Sequence, residues 1–283
     1  MSKIEWTRQT WNPIAGCSVV SAGCTNCYAM RQAYRLEHHL KMPAYAGTTK
    51  KVNGNPVWTG TINRASDASF EKPLRITKPS LIFVNSMSDL FHEKVRYHWL
   101  REIMGIIDQC PQHQFQILTK RPSNINPMMR AIGRDRMPDN VWLGTSVEDH
   151  RVKIRIDHLR EVRASIRYLS CEPLIGPLGP VDMEDIHWVI GGGESGPGAR
   201  PCMKAWAVAL RWSCQRQGVP FLWKQWGTYQ NNPLAWDHPG NEADIASAKR
   251  LDPEGKGGSL LDGQHFREMP SSPLGPDGQY ALS

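Results

Sequence analysis

Three cysteines, Cys17, Cys24 and Cys27, fall within eleven positions of one stretch, GCSVVSAGCTNCYA at 16–29. Thiolates are soft ligands for zinc and for iron–sulfur clusters. Three is one short of the four ligands of a closed structural zinc site. Three protein thiolates on a four-iron cluster instead leave one iron open to a small molecule. A histidine would complete a zinc site, and His38 and His39 are the candidates on the following helix. They lie about ten residues beyond Cys27, roughly three helical turns, so reaching back would require the helix to break.

A second group of reactive side chains recurs just after short apolar runs. Asn85, Ser86, Ser88 and Asp89 follow LIFV, and Thr119, Lys120 and Arg121 end QFQIL. Thr145, Ser146 and Glu148 end NVWLG, while Ser170, Cys171 and Glu172 end SIRYL. A glycine run, Gly191–Gly193, leads into Glu194 and Ser195, and Lys224 and Gln225 close the last run. Any strand end must turn and so tends to be polar; six in succession with charged or thiol groups point to a site.

The runs that carry these residues begin at Ser80, Gln114, Asn140, Ser165, Ile186 and Val219, with a first strand near Thr10–Ala15. Each has four or five mostly apolar residues, as a strand buried on both faces does. Helical patterns alternate with them: YAMRQAYRLEHHLK, KVRYHWLREIMGIIDQC, SNINPMMRAIGR, HRVKIRIDHLREVRA and MKAWAVALRWSCQRQG. Alternation of this kind predicts βαβ units around a parallel sheet. Six or seven units predict an α/β fold, a full or partial (β/α) barrel over residues 1–226. Chemistry in such barrels sits at the C-terminal ends of the strands, where the polar residues fall. Residues 42–79 interrupt the alternation and read as an inserted loop or small subdomain. Residues 227–283, rich in Gly and Pro, read as a C-terminal extension.

Composition narrows the class. Hydrophobic residues make up 40% and charged residues 22% of 283, as in a globular protein. No apolar run is long enough to span a bilayer, and MSKIEWTRQTW has no secretory h-region. The expected setting is the cytoplasm, where thiols stay reduced and clustered cysteines act as metal or redox groups. The net charge of +7 and the eleven tryptophans suit either a nucleic-acid or nucleotide partner or a solvated basic surface over an aromatic core.

The cysteine loop after the first strand of a barrel resembles that of the radical S-adenosylmethionine superfamily. There three cysteines hold a [4Fe–4S] cluster whose open iron binds S-adenosylmethionine, and reductive cleavage yields a 5′-deoxyadenosyl radical. The common spacing is C-x3-C-x2-C with an aromatic residue before the last cysteine. Here the first interval is C-x6-C, and Asn26 precedes Cys27 while Tyr28 follows it. Over nearly the whole chain the segments IEWTRQTWNPIAGC, NSMSDLFH, LTKRP, WLGTSVED, LSCEPLIGPL, GGESGPGARP, FLWKQWG and LLDGQHFREMP are similar to a phage-associated family known only as a domain of unknown function. That family is often encoded beside a three-cysteine-motif partner protein. Among characterised enzymes the chain resembles the spore photoproduct lyases, which repair DNA.

The resemblance implies roles. Cys17, Cys24 and Cys27 would ligate the cluster, with an external electron donor supplying the reductant. Ser86 and Asp89 would meet the methionine amino group, and Lys120 its carboxylate. Ser146 and Glu148 would meet the ribose hydroxyls, and Glu194 adenine or ribose. Cys171 would donate a hydrogen atom to a product radical. The implied activity is repair or modification of a base in DNA, RNA or a nucleotide, in the host cytoplasm if the chain is phage-encoded. Two other readings stay open: a non-enzymatic nucleic-acid-binding module with a structural zinc, and a barrel hydrolase or lyase using Asp89, Glu148, Glu172 and Glu194 as acid and base.

Overall fold

The computed structural model describes residues 7–228 and 257–271. Seven parallel strands form one curled sheet in sequential order: β1 (Gln9–Trp11), β2 (Leu81–Val84), β3 (Gln114–Thr119), β4 (Val141–Ser146), β5 (Ile166–Cys171), β6 (Trp188–Gly191) and β7 (Phe221–Trp223). β1 and β7 are the two edges, so the sheet is a half-barrel, one of the two forms predicted. Among the described residues five helices of seven or more residues alternate with the strands: α1 (Tyr28–His38), α2 (Tyr97–Asp108), α3 (Ile125–Ala131), α4 (Ile154–Arg160) and α5 (Lys204–Arg216). The β5–β6 connection runs without a helix. Among the described residues no helix is long and apolar enough to cross a membrane.

Strand parity divides the core into two layers. Ile82, Val84, Phe115, Ile117, Val141, Leu143, Leu169, Val189 and Trp223 point outward against the helices. Leu81, Phe83, Trp142, Ile166, Tyr168, Trp188, Ile190 and Leu222 fill the concave side. The Trp142, Tyr168 and Trp188 rings meet edge-on or tilted at 5.7–5.8 Å and block the lower end of the half-barrel. Gly144 is the partner of that block, because a Cβ there would enter the Tyr168 ring. The residues around 266–269 lie along the β7 edge. Arg267 bridges Leu222 antiparallel, Trp223 N–H donates to Phe266 O at 3.0 Å, and Trp188 Nε1 donates to Glu268 O at 2.9 Å. Most of the predicted C-terminal extension lies outside the described residues.

One expectation changes. The first strand is not continuous over Thr10–Ala15. It stops at Trp11, and Ile14–Ala15 pairs antiparallel with Asn63–Arg64, because the chain leaves the sheet at Asn12–Pro13. The 42–79 insert contains regular structure. Thr49–Val52 and Asn55–Trp58 form a hairpin turned by Asn53 and Gly54, both at positive φ. Its Trp58 packs with Tyr45 against Ala29, Met30 and Ala33 of α1, so the insert braces the helix that follows the cysteines.

Candidate functional site

The C-terminal strand ends and the cysteine loop enclose a chamber of about 300 Å³. Cys17, Cys24 and Cys27 open onto it, as do Ser86, Asp89, Lys120, Ser146 and Glu194 of the predicted set. Glu148 lies behind the lining. Cys171 does not reach the chamber: it is fully buried on the outward face of β5, beside Cys214. Ser170 and Glu172, on the opposite parity, take the inward positions. The hydrogen-donor role implied for Cys171 gains nothing from this placement.

The loop is anchored at both ends. Gly16, at φ +96°, donates its N–H to Met87 O, and a Cβ there would strike Thr61 O. Ser21 donates to Glu148 Oε1 at 2.9 Å, and the Glu148 side chain occupies the space a Cβ on Gly23 would need. A single 3₁₀ turn, Ala22–Cys24, then leads to Cys27, which caps α1. Asn26 Nδ2 donates to Glu194 Oε2 at 3.0 Å and ties the loop to the end of β6.

The carboxylates predicted to bind ligand are occupied by the protein itself. Asp89 Oδ1 accepts from Thr119 Oγ1 at 2.7 Å and Phe91 N at 3.0 Å. Its Oδ2 accepts from Lys120 N at 3.1 Å and Arg121 Nη1 at 2.9 Å. Glu148 pairs with Lys120 at 2.7 Å and Arg155 at 2.9 Å. Burial alone would raise the Glu148 carboxyl; the two cations outweigh it and hold it below the usual carboxylate range. Glu194 likewise sits low: burial opposes ionisation, but the Arg200 fork and Asn26 prevail. These groups shape the loop and its cations. As buried, paired carboxylates they are poorly suited to the acid–base role of the hydrolase reading.

Arg155 and Arg200 are functional neighbours that sequence reasoning passed over, and Arg121 and Tyr28, noted beside the motifs, were given no role there. Arg121 is buried, binds Asp89 and Glu93, donates to Ser18 Oγ at 2.7 Å, and points Nη1 at Cys17 Sγ across 3.9 Å. His92, fully buried, lies 2.8 Å from the same Ser18 hydroxyl; its Nδ1 accepts from Lys94 N–H, so Nε2 carries the proton. Burial and then Arg121 hold His92 neutral by lowering its pKa. Tyr28 OH donates to Ser86 O at 2.9 Å. On the far wall Lys224 and Glu172 form an ion pair at 2.8 Å.

Cys17 and Cys27 are thiols in this environment. Burial pushes Cys17 up to about 12, Asp89 adds to the shift, and Arg121 opposes it. Burial also raises Cys27, against the backbone N–H groups of Ala29 and Met30 at the start of α1. A bound cation would reverse that balance by favouring the thiolates. Among the described residues, no three His, Cys, Asp or Glu side chains converge on one ion position. Single zinc needs sulfurs about 2.3 Å from one point, whereas a four-iron cluster spreads its thiolates over separate irons. α1 runs unbroken to His38, about 15 Å along its axis, and His38 stacks on Tyr34 at 4.0 Å. In kind, three thiols on one chamber wall, with an arginine N–H toward one sulfur and helix N–H groups toward another, are donors that a cluster takes.

Residues 1–270 match the family described as protein of unknown function (DUF5131), and the chain belongs to that family. No curated protein and no solved structure matches the chain.

Proposed function

We propose that the protein is a radical S-adenosylmethionine enzyme that holds a [4Fe–4S] cluster on Cys17, Cys24 and Cys27 and acts on nucleic acid or a nucleotide. The observation that carries this reading is the opening of all three thiols onto one chamber at the C-terminal ends of a parallel half-barrel. When bound, the cluster and S-adenosylmethionine supply reductive carbon–sulfur cleavage and hydrogen-atom abstraction. The chain's own residues set the conditions for it. Arg121 directs an N–H toward the Cys17 sulfur, an outer contact of the kind that tunes a metal site. Lys120 and Lys224 bring positive charge to the chamber, each beside a carboxylate that fixes its position. Phe83 and Leu118 line its floor with apolar surface that limits water.

Outside the chamber, charge supports the nucleic-acid part of the reading. Arg31 and Arg35 on α1, with Lys51 on the hairpin that packs against it, give one basic face. Lys51 lies over the Tyr34 ring at 5.1 Å, which stiffens its side chain. Glu37 on the same helix is engaged by Gly47 N–H and Thr49 Oγ1. Arg31 reaches Gly196, in the loop after β6, so the face runs to the rim of the chamber. A phosphate backbone fits such a face, and a base held in a duplex would have to flip outward to enter.

The test is the iron, sulfide and zinc content of anaerobically purified protein, with visible absorption before and after dithionite. About four irons and four sulfides per chain and a band that bleaches on reduction are expected. One zinc and no iron, persisting after cluster reconstitution, overturns the reading in favour of a structural zinc module.

A further inference from the structure

Asn85 is the first residue after β2. Its N–H donates to Trp11 O at 2.8 Å, extending the β1–β2 ladder by one step. It then turns at φ +62°, a left-handed conformation that asparagine and glycine tolerate best. The residue is 96% buried, and it lines the chamber. Neither Nδ2 nor Oδ1 has a hydrogen-bond partner among the described residues. Of the described residues that carry such atoms, Asn85 alone is also a chamber-lining residue.

A buried amide with both ends unpaired weakens a fold, and such groups are rare unless something else pairs them. The carboxylates around this chamber are saturated internally, as Asp89 and Glu194 show. Asn85 is the exception in a well-paired wall. Its amide offers a donor beside an acceptor in one plane. The complementary partner is a planar edge with the same two features, an N–H next to a ring nitrogen or a carbonyl, as in a nucleobase. Phe83, two residues earlier on the same strand face, gives an apolar surface beside it.

We infer that Asn85 reads the hydrogen-bonding edge of a nucleobase seated in the chamber. This rests on the reading of the chamber as a nucleotide-handling site. The base belongs either to an adenosine-bearing cofactor or to the substrate, and the experiment separates the two.

The variant is Asn85→Gly, which removes the amide and keeps the left-handed backbone accessible. Asn85→Asp keeps the shape and replaces the donor. Full-length protein of each kind is titrated with S-adenosylmethionine, adenosine, thymidine and deoxycytidine, with ribose 5-phosphate as the base-free control. Binding is followed by thermal shift and calorimetry, and iron is measured on the same preparations. Unliganded N85G melts within about 2 °C of wild type. Wild type binds at least one base-bearing probe, and both variants lose at least about tenfold in affinity for it, the size of one specific pairing. Loss confined to the adenosine probes assigns the base to the cofactor; loss confined to the pyrimidines assigns it to the substrate. Unchanged binding in N85G, binding of no base-bearing probe by wild type, an equal loss for ribose 5-phosphate, or a large fall in melting temperature overturns the inference. Iron that stays bound while base affinity falls, or the reverse, tells the failure of one reading from that of the other.

Discussion

The seven cysteines divide into two regions with opposite surroundings. Cys110, Cys171, Cys202 and Cys214 are buried among apolar side chains between the sheet and its helices. Cys17, Cys24 and Cys27 sit on the chamber wall, two of them half-buried, near Arg121 and the start of α1. Burial raises the thiol pKa in both regions: Cys17, Cys202 and Cys214 are all pushed to about 12. Titration alone therefore does not separate structural from reactive cysteines. Access and the charges within reach do.

The strongest way to break that comparison is to remove the cysteines one region at a time. Changing Cys17, Cys24 or Cys27 to alanine should abolish iron binding. Changing Cys110, Cys202 or Cys214 to alanine should leave iron content intact and lower unfolding free energy by about 1 kcal/mol each, the scale of losing one buried heavy atom. Iron analysis beside urea denaturation reads both. Retained iron in a loop variant, or its loss from a core variant that still folds, would merge the two regions.

A smaller effect sharpens the comparison by moving the loop rather than its sulfurs. Gly23→Ala places a methyl group inside the Glu148 side chain, which Arg155 and Lys120 hold in place. The loop must shift, at a cost of about 1–3 kcal/mol. Iron content should fall although every cysteine remains, whereas Gly105→Ala, inside α2 with open space beside it, should leave iron content unchanged and raise stability by up to about 1 kcal/mol.

The smallest effect is acidic. The Glu194 carboxyl lies below its ordinary value of 4.5 in the folded chain, because its partners outweigh the burial that opposes ionisation. Its contribution to stability is complete above that pH and is lost as pH falls through the folded value. Urea midpoints of wild type and Glu194→Gln should differ at pH 6 and converge as the carboxyl protonates. A difference that does not shrink on acidification would mean that the charge of Glu194, paired with Arg200 and Asn26, does not stabilise the loop.

Much of the frame was legible in the sequence, for a physical reason. Strands buried on both faces must be apolar throughout, so LIFV, QFQIL and VWLG mark them without a structure. The polar residues that follow had to lie at one end of the sheet. Parity was legible too and was not used: Ser170 and Glu172 share a face that Cys171 cannot. The Asn53–Gly54 pair between Val52 and Asn55 also announced a hairpin. The fate of the carboxylates was not legible. Glu148 with Lys120 and Asp89 with Arg121 are separated by about thirty residues, and their pairing depends on strand register. Asn85 is in the same class: only the fold shows that none of the described residues answers its amide.

The antiparallel bridge from Arg267 to Leu222 has a consequence for synthesis. β7 is complete at Trp223, but the residues that cover its edge are made some forty positions later. At about 5–20 residues per second, a nascent chain presents that strand uncovered for a few seconds. During this interval its backbone N–H and C=O groups form an open template for another chain. The interval coincides with the exit of the last sheet element from the ribosome, when the rest of the half-barrel is already available to pair.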